Sequence, residues 1–424
     1  MMTNDLSSAG ELYYDPYDYE IDANAQALWR RMRDEAPVYW NDKYEFFALS
    51  RYDDVLNATL DTETFSSAHA TVLEFMTAQP ADVPLMIWMD PPRHSWHRKL
   101  VNRAFTVKTV ARLEERVARL CNDLLDRVSG RDRFDFLNDY GAIIPPTVIL
   151  ALMGFPEGLV EDWRHGIDSM FHLEEGAQRP AALLDVSPEA LGGSALISEG
   201  GAIGSGLYEL LPEVLEERRR EPKDDLLSVL VQTDLEEDGR LRKLNETEIF
   251  SFVTLLSVAG TETVARLLGW VAVLLDRHPD QRRRLVDDPA LIPNAIEECL
   301  RYEAPSPVNG RWVTHEVAIH GRVMPKDSKV VLLNGSGNRD ERHFPDPDRF
   351  DIDRKIDRHL SFGYGAHFCI GAALARIEGQ IALREFLRRY PSWSVDYDEA
   401  EMVHTSTVRG YAKVPVEATT GPHG

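Results

Sequence analysis

Apolar residues recur at helical spacing along most of the chain and at strand spacing in a few short pieces. Ala27, Leu28 and Met32 make the stripe of an amphipathic helix over Ala25–Glu35, ended by Pro37. Val38–Trp40 and Glu45–Leu49, separated by Asn41-Asp42-Lys43, read as a hairpin, and Tyr52–Leu60 as a short helix. Helices are also predicted from Pro91-Pro92 to about Phe105, over Val110–Val128, over Ile144–Met153 and over Ile292–Tyr302. Strand signals return at Val317–Ile319 and Lys329–Leu333, with turns at His320-Gly321 and Lys326-Asp327. The ends are expected to be loosely held, about the first 20 and the last 8 residues.

The longest pattern starts at Asn245, an N-cap with Glu248 as its partner, and runs for about 30 residues, roughly 45 Å, to Pro279. Ile249, Phe250, Phe252, Val253, Leu255, Leu256, Val258 and Ala259 cover its circumference, so burial on every side is expected. Glu262 and Arg266 at its centre would be costly in lipid, which makes it the central helix of a globular core. Within it, Ala259-Gly260-Thr261-Glu262-Thr263 sets hydroxyl and acid groups beside a glycine, where the helical ladder can open and admit water.

A helix is predicted after Cys369, because Ala372, Leu374, Ala375, Ile377, Ile381, Ala382, Phe386 and Leu387 repeat at its spacing. Unpaired N–H groups and the dipole at its N-terminus favour a thiolate there. Gly363 and Gly365 let the backbone approach a flat or bulky group. A free cysteine beside glycine is ordinarily a structural thiol in a turn. Phe362–Gly371, in full Phe-Gly-Tyr-Gly-Ala-His-Phe-Cys-Ile-Gly, is more particular, and a thiolate facing a flat surface suggests haem.

Thr71–Trp88 has no clean period and reads as an apolar loop of the kind that lines sites. Residues 178–206, rich in Ala, Gly, Leu and Ser, suit either a mobile lid or a surface insertion. His94 and Arg98 stand four apart on one helix face, and Arg93, His97, Lys99 and Arg103 make that helix basic.

The chain has 424 residues, 47 basic against 70 acidic, and its charge of -23 disfavours nucleic-acid or anionic-membrane partners. Three widely spaced cysteines, Cys121, Cys299 and Cys369, disfavour a disulfide framework, a zinc knuckle and covalently attached haem. The polar start lacks an apolar run, so a cytoplasmic protein is expected. A zinc hydrolase lacks its His-Glu-x-x-His.

The cysteine string resembles the signature Phe-Gly-x-Gly-x-His-x-Cys-x-Gly of the cytochrome P-450 haem-thiolate monooxygenases of soluble bacterial type. Its fixed positions are met at Phe362, Gly363, Gly365, His367, Cys369 and Gly371. Further family motifs follow in family order. They are His-x-x-x-Arg at His94 and Arg98, Ala-Gly-x-acid-Thr at Ala259–Thr263, Glu-x-x-Arg at Glu298 and Arg301, and Pro-x-Arg-Phe containing Arg349. Glu262 stands where many members carry Asp.

The resemblance implies a mainly α, single-domain fold with a small β-rich lobe, and haem b between the central helix and the helix after the cysteine loop. Cys369 would be the axial iron ligand, with haem contacts from Ala259, Gly260, Phe362, Gly363 and Gly371 and propionates neutralised by His94, Arg98, Arg311 and His367. Glu262 and Thr263 would handle protons, and Glu298, Arg301 and Arg349 would lock the loop that leads to Cys369. Leu73, Phe75, Met86, Ile87, Trp88, Leu255, Val258, Pro307, Val308 and Thr407 would line the pocket of a hydrophobic substrate, whether fatty acid, terpenoid, steroid or macrolide.

No flavin or iron–sulfur domain fits in the remaining length. Electrons for O2 would come from a separate ferredoxin and ferredoxin reductase, docking on the basic helix of a monomer. A peroxide-driven peroxygenase, which Glu262 and Thr263 count against, and a non-catalytic haem-thiolate sensor are the alternatives.

Overall fold

The capping box expected at Asn245 forms: its side chain accepts the Glu248 N–H at 2.9 Å, and Glu248 Oε2 accepts the Asn245 N–H at 2.9 Å. From it the central helix runs over Glu246–Arg277 without a break. In the computed structural model, which describes residues 10–102, 105, 107–171 and 205–421, the other helices gather round this one. Ile144–Met153, Ile292–Tyr302 and the cysteine helix Ala372–Arg389 all pack on it. It is long and apolar enough to cross a membrane, but 78% of its most apolar window is buried inside the protein.

Burial is not complete, contrary to the sequence expectation. Leu255, Val258 and Thr263 are half-buried and Ala259 is exposed. Their spacing puts the four on one face, so a single stripe of the core helix is left open. The helix runs through Gly260 without a break. A Cβ on Gly260 would lie 2.6 Å from Ile149 Cδ1, so this glycine serves the close approach of Ile144–Met153.

The β-rich lobe is a five-stranded sheet in the order Val38–Asn41, Phe46–Leu49, Lys329–Leu333, Val308–Val313, Phe65–Ser66. The first pair is the predicted hairpin, Val38 facing Leu49, and Lys329–Leu333 joins it in parallel with Lys329 opposite Phe46. A second, smaller core of Leu49, Tyr52, Val55, Val330, Leu332 and Phe344 forms against it. The helix after the two prolines stops at Val101, short of Phe105, and the next covers Val107–Arg127.

Tyr14 and Asp15 are tied to the hairpin. Tyr14 is 3% exposed, its N–H donates to the Tyr39 hydroxyl, and its carbonyl accepts from Asn41 Nδ2 at 2.8 Å. Asp15 accepts from Lys43 Nζ and the Tyr44 hydroxyl. Near the other end Pro415–Thr419 is a strand between Ser392–Val395 and Arg133–Asp135. Residues 178–204 of the expected lid or insertion lie outside the described residues, and from Ser205 a helix runs to Arg220.

Candidate active site

Gly363 and Gly365 adopt φ of 61° and 66°, which L side chains rarely take, and so turn the chain tightly ahead of the cysteine. The Cys369 N–H donates to the Phe362 carbonyl at 2.8 Å, and Gly371 caps the helix that follows. The thiol is not depressed as the helix terminus suggested. Burial pushes it up, against the Gly371 N–H and the Arg98 and Arg376 charges, which pull it down. The desolvation of sulfur outweighs the helix end.

His94 and His367 come together from distant parts of the sequence, their ring centroids 4.3 Å apart at 45°. Nδ1 of His94 and Nε2 of His367 are buried without hydrogen-bond partners among the described residues. Burial, then Arg98, lowers His94 to about 4. Burial, then Arg311, His94 and Arg98, holds His367 far below the ordinary range. Arg311 is buried and lowered to about 10 by desolvation, with Asp90 as counter-charge.

Orphaned ring nitrogens beside two guanidinium groups make a poor interior as they stand and a good cradle for an acid with several acceptor oxygens. The donor set therefore fits haem: Cys369 would hold the iron, and His94, Arg98, Arg311 and His367 the propionates. Asp90, just ahead of the two prolines, accepts from Ser66 Oγ and the Ser67 N–H and faces this cradle. Its Asp-Pro-Pro context was the available signal.

The basic helix differs from expectation. His97 is fully buried, with Nε2 3.3 Å from Glu248 Oε1, and Glu248 also takes Arg242 at 2.7 Å through each of its carboxylate oxygens. His97 thus ties the His94 helix to the start of the central helix and belongs to no surface patch. Arg93 is exposed, Lys99 is exposed and 3.5 Å from Glu236, and Arg103 lies outside the described residues.

On the central helix the Thr263 hydroxyl donates to the Ala259 carbonyl at 2.7 Å, beside the open stripe. Glu262, 4% exposed, is clamped by Arg266 through Nε at 3.0 Å and Nη2 at 2.6 Å, and Arg266 Nη1 donates to the Tyr411 carbonyl. The two residues thus project in different directions, Thr263 toward the stripe and Glu262 into an ion pair.

The lock has a different third member from the one expected. Glu298 and Arg301 are wholly buried, with Arg301 Nε 2.7 Å from Oε2 and Nη2 2.8 Å from Oε1. Arg354, not Arg349, adds the second guanidinium, its Nε 3.2 Å from Glu298 Oε1. The Arg349 side chain is 71% exposed and 3.7 Å from Asp351, and only its carbonyl takes part, accepting from Arg354 Nη2 at 2.8 Å. Arg301 also donates to the Asn338 carbonyl, and Asn338 Oδ1 accepts the Leu360 N–H, which carries the lock to the cysteine loop.

Of the expected pocket residues, Leu73, Val308 and Thr407 line one cleft, and Pro307 lines the adjoining one with Val308 and Thr407. The Thr407 hydroxyl donates to the Val308 carbonyl at 3.0 Å. The Met86–Trp88 turn, including half-buried Ile87, packs on the central helix, and Phe75 meets Trp88 edge-on at 6.0 Å. Thr71–Trp88 is thus a largely buried loop. Tyr14 and Pro16 line both clefts and were missed, because nothing in their local sequence signals a tertiary contact.

Fold and site together define a haem-thiolate protein. The family model "Cytochrome P450" matches residues 29–408, and the chain belongs to this family. It is similar to the putative cytochrome P450 123 of Mycobacterium tuberculosis, 36% identical over 409 residues, covering 96% of this chain and 97% of that one. It is 36% identical over 329 residues to the 6-deoxyerythronolide B hydroxylase of Saccharopolyspora erythraea, covering 77% and 76% of the two chains. The structure of CYP109E1 from Bacillus megaterium in complex with testosterone matches with TM-score 0.81 and 30% identity, over 93% of this chain and 97% of that one. The protein is a cytochrome P450 monooxygenase, and its cofactor is haem b.

Proposed function

We propose that the protein hydroxylates, or otherwise oxidises, a hydrophobic small molecule in the cytoplasm, with electrons from a ferredoxin and its reductase. The observation that carries this reading is the open stripe of the central helix, where Leu255, Val258 and Ala259 are apolar and Thr263 adds one hydroxyl. Such a surface binds by apolar contact and offers a single group that can hold a proton. One relative is named for hydroxylating 6-deoxyerythronolide B and one similar structure holds testosterone, so macrolide-like and steroid-like compounds are the first to screen.

Thiolate-ligated haem, when bound, activates O2 and supplies the oxygen-transfer chemistry. The chain's part is positioning and protons. Leu73, Val308 and Thr407 line a cleft that can hold part of an apolar substrate, and the Thr407–Val308 hydrogen bond holds that wall. The Thr263 hydroxyl turns from the Ala259 carbonyl to hold a proton at its Oγ1. Glu262, held in its ion pair with Arg266, is the neighbouring acid that would pass protons to this hydroxyl.

Ferredoxin docking suits the face around the cysteine loop. Leu60 is 51% and Phe368 37% exposed there, and Gly365 lies against Leu60. Arg93 and Lys99 supply positive charge for an acidic partner. Arg93→Glu or Lys99→Glu is expected to slow ferredoxin-supported turnover, and an unchanged rate and salt dependence would remove this docking face.

The reading as a whole is tested on the purified holoprotein. A strongly red-shifted Soret band of the reduced carbon monoxide complex, lost in Cys369→Ala, is expected. Product formation that needs NADH, ferredoxin and reductase distinguishes the monooxygenase from a peroxide-driven enzyme and from a sensor.

A further inference from the structure

We propose that Arg376, held by Glu297 and His359, is a positioning residue that sets how strongly Cys369 donates to the haem iron, and so the potential at which the site takes up an electron. The inference rests on the haem-thiolate reading above and adds to it a control element outside the family motifs read from the sequence.

Arg376 lies one turn into the cysteine helix and its guanidinium stacks on the Phe362 ring, 4.5 Å from the centroid. Phe362 is the residue whose carbonyl accepts the Cys369 N–H. Arg376 Nε and Nη2 donate to the two oxygens of Glu297 at 2.6 and 2.9 Å, a bidentate pair that fixes the plane of the guanidinium.

Glu297 is fixed in turn. His359 Nε2 is 3.2 Å from Glu297 Oε2, and the Ser361 N–H donates to His359 Nδ1 at 3.2 Å. A ring nitrogen that accepts an N–H carries no proton, so the hydrogen-bond network assigns the proton of His359 to Nε2, which donates to Glu297. The His359 side chain is 3% exposed, so the half-buried ion pair is anchored to the interior. Neighbouring residues of one helix thus divide the work: Glu298 turns into the lock and Glu297 toward the cysteine helix.

Stacked on Phe362, whose carbonyl accepts the Cys369 N–H, the Arg376 guanidinium stands against the cysteine loop. Arg98 would be taken up by the propionates, which leaves Arg376 as a positive charge fixed beside the cysteine loop. Glu297 is the counter-charge bound to this guanidinium, so it offsets part of the positive charge that Arg376 brings to the loop. One-electron reduction adds a negative charge to the thiolate–iron unit, which a nearby cation stabilises and a nearby anion opposes.

The test is the ferric/ferrous midpoint potential of the holoprotein, titrated with dithionite and mediator dyes in the absence of any protein partner. Arg376→Gln is expected to lower the potential, Glu297→Gln to raise it, and Arg376→Lys to stay near the parent, with the thiolate-type carbon monoxide band kept in all. Shifts of one sign in both neutral variants, or no shift, would overturn the proposal, because a merely structural role moves both alike. If Arg376→Gln does not fold, Glu297→Gln decides alone: a rise supports the proposal and an unchanged potential overturns it. If the parent itself lacks the thiolate-type band, it is the haem-thiolate reading that fails.

Discussion

Arg354 Nε lies 3.2 Å from Glu298 Oε1, and the same oxygen accepts the Asp351 N–H at 2.9 Å. Arg354 is thus a member of a wholly buried carboxylate site, its own side chain 10% exposed. Arg354→Ala leaves Glu298 with one guanidinium in the interior and is expected to lower stability by about 1–3 kcal/mol. Arg349→Ala removes only an exposed side chain and is expected to stay within about 0.5 kcal/mol of the parent. Thermal melts of the two holoproteins decide between them, and equal losses would restore Arg349 to the lock.

Gly260→Ala drives a methyl group into Ile149, at 2.6 Å from Cδ1 and 2.8 Å from Cγ1. Overpacking of this kind is expected to cost about 1–3 kcal/mol. Ile149→Ala removes both contacting atoms, so the double variant is expected to lose less than the sum of the single changes. Urea unfolding of the three proteins measures this, and strict additivity would mean that the two helices are not in contact there.

Thr263→Ala removes the one hydroxyl on the open stripe, and Glu262→Gln keeps the shape of its ion-paired neighbour without the charge. Each is expected to cut product per NADH at least about tenfold while hydrogen peroxide release rises. Substrate-binding spectra should change less, since Thr263→Ala gives up a single methyl group of apolar surface and Glu262→Gln none. Parent-like coupling in both would remove them from the proton path.

Glu297 gives a pH signature. Burial works to raise its carboxyl, but hydrogen bonds from His359 and Arg376 outweigh it and hold the group at about 2, below its ordinary 4.5. A depressed folded value means that the unfolded chain binds more protons in this window. The stabilisation is therefore complete above about pH 4.5 and fades as pH falls toward 2. The stability gap between the parent and Glu297→Gln should shrink from neutral pH to pH 3, as read from urea midpoints, and a constant gap would contradict the assignment.

Local features were legible in the chain itself. The Asn245 and Glu248 capping box, the hairpin at Asn41-Asp42-Lys43, the helices Tyr52–Leu60, Ile144–Met153 and Ile292–Tyr302, and the cysteine loop before its helix all occur where periodicity and caps place them. Those signals act between residues a few positions apart, through backbone hydrogen bonds and the alternation of apolar side chains, so sequence alone determined them. What the spacing of residues left undecided was the choice of distant partners. Arg354 rather than Arg349 reaches Glu298, His97 turns inward to Glu248, Gly260 makes room for Ile149, and His94 meets His367. Each choice depends on which charged or bulky groups are desolvated together once helices and sheet have packed, and that energy exists only in the tertiary structure.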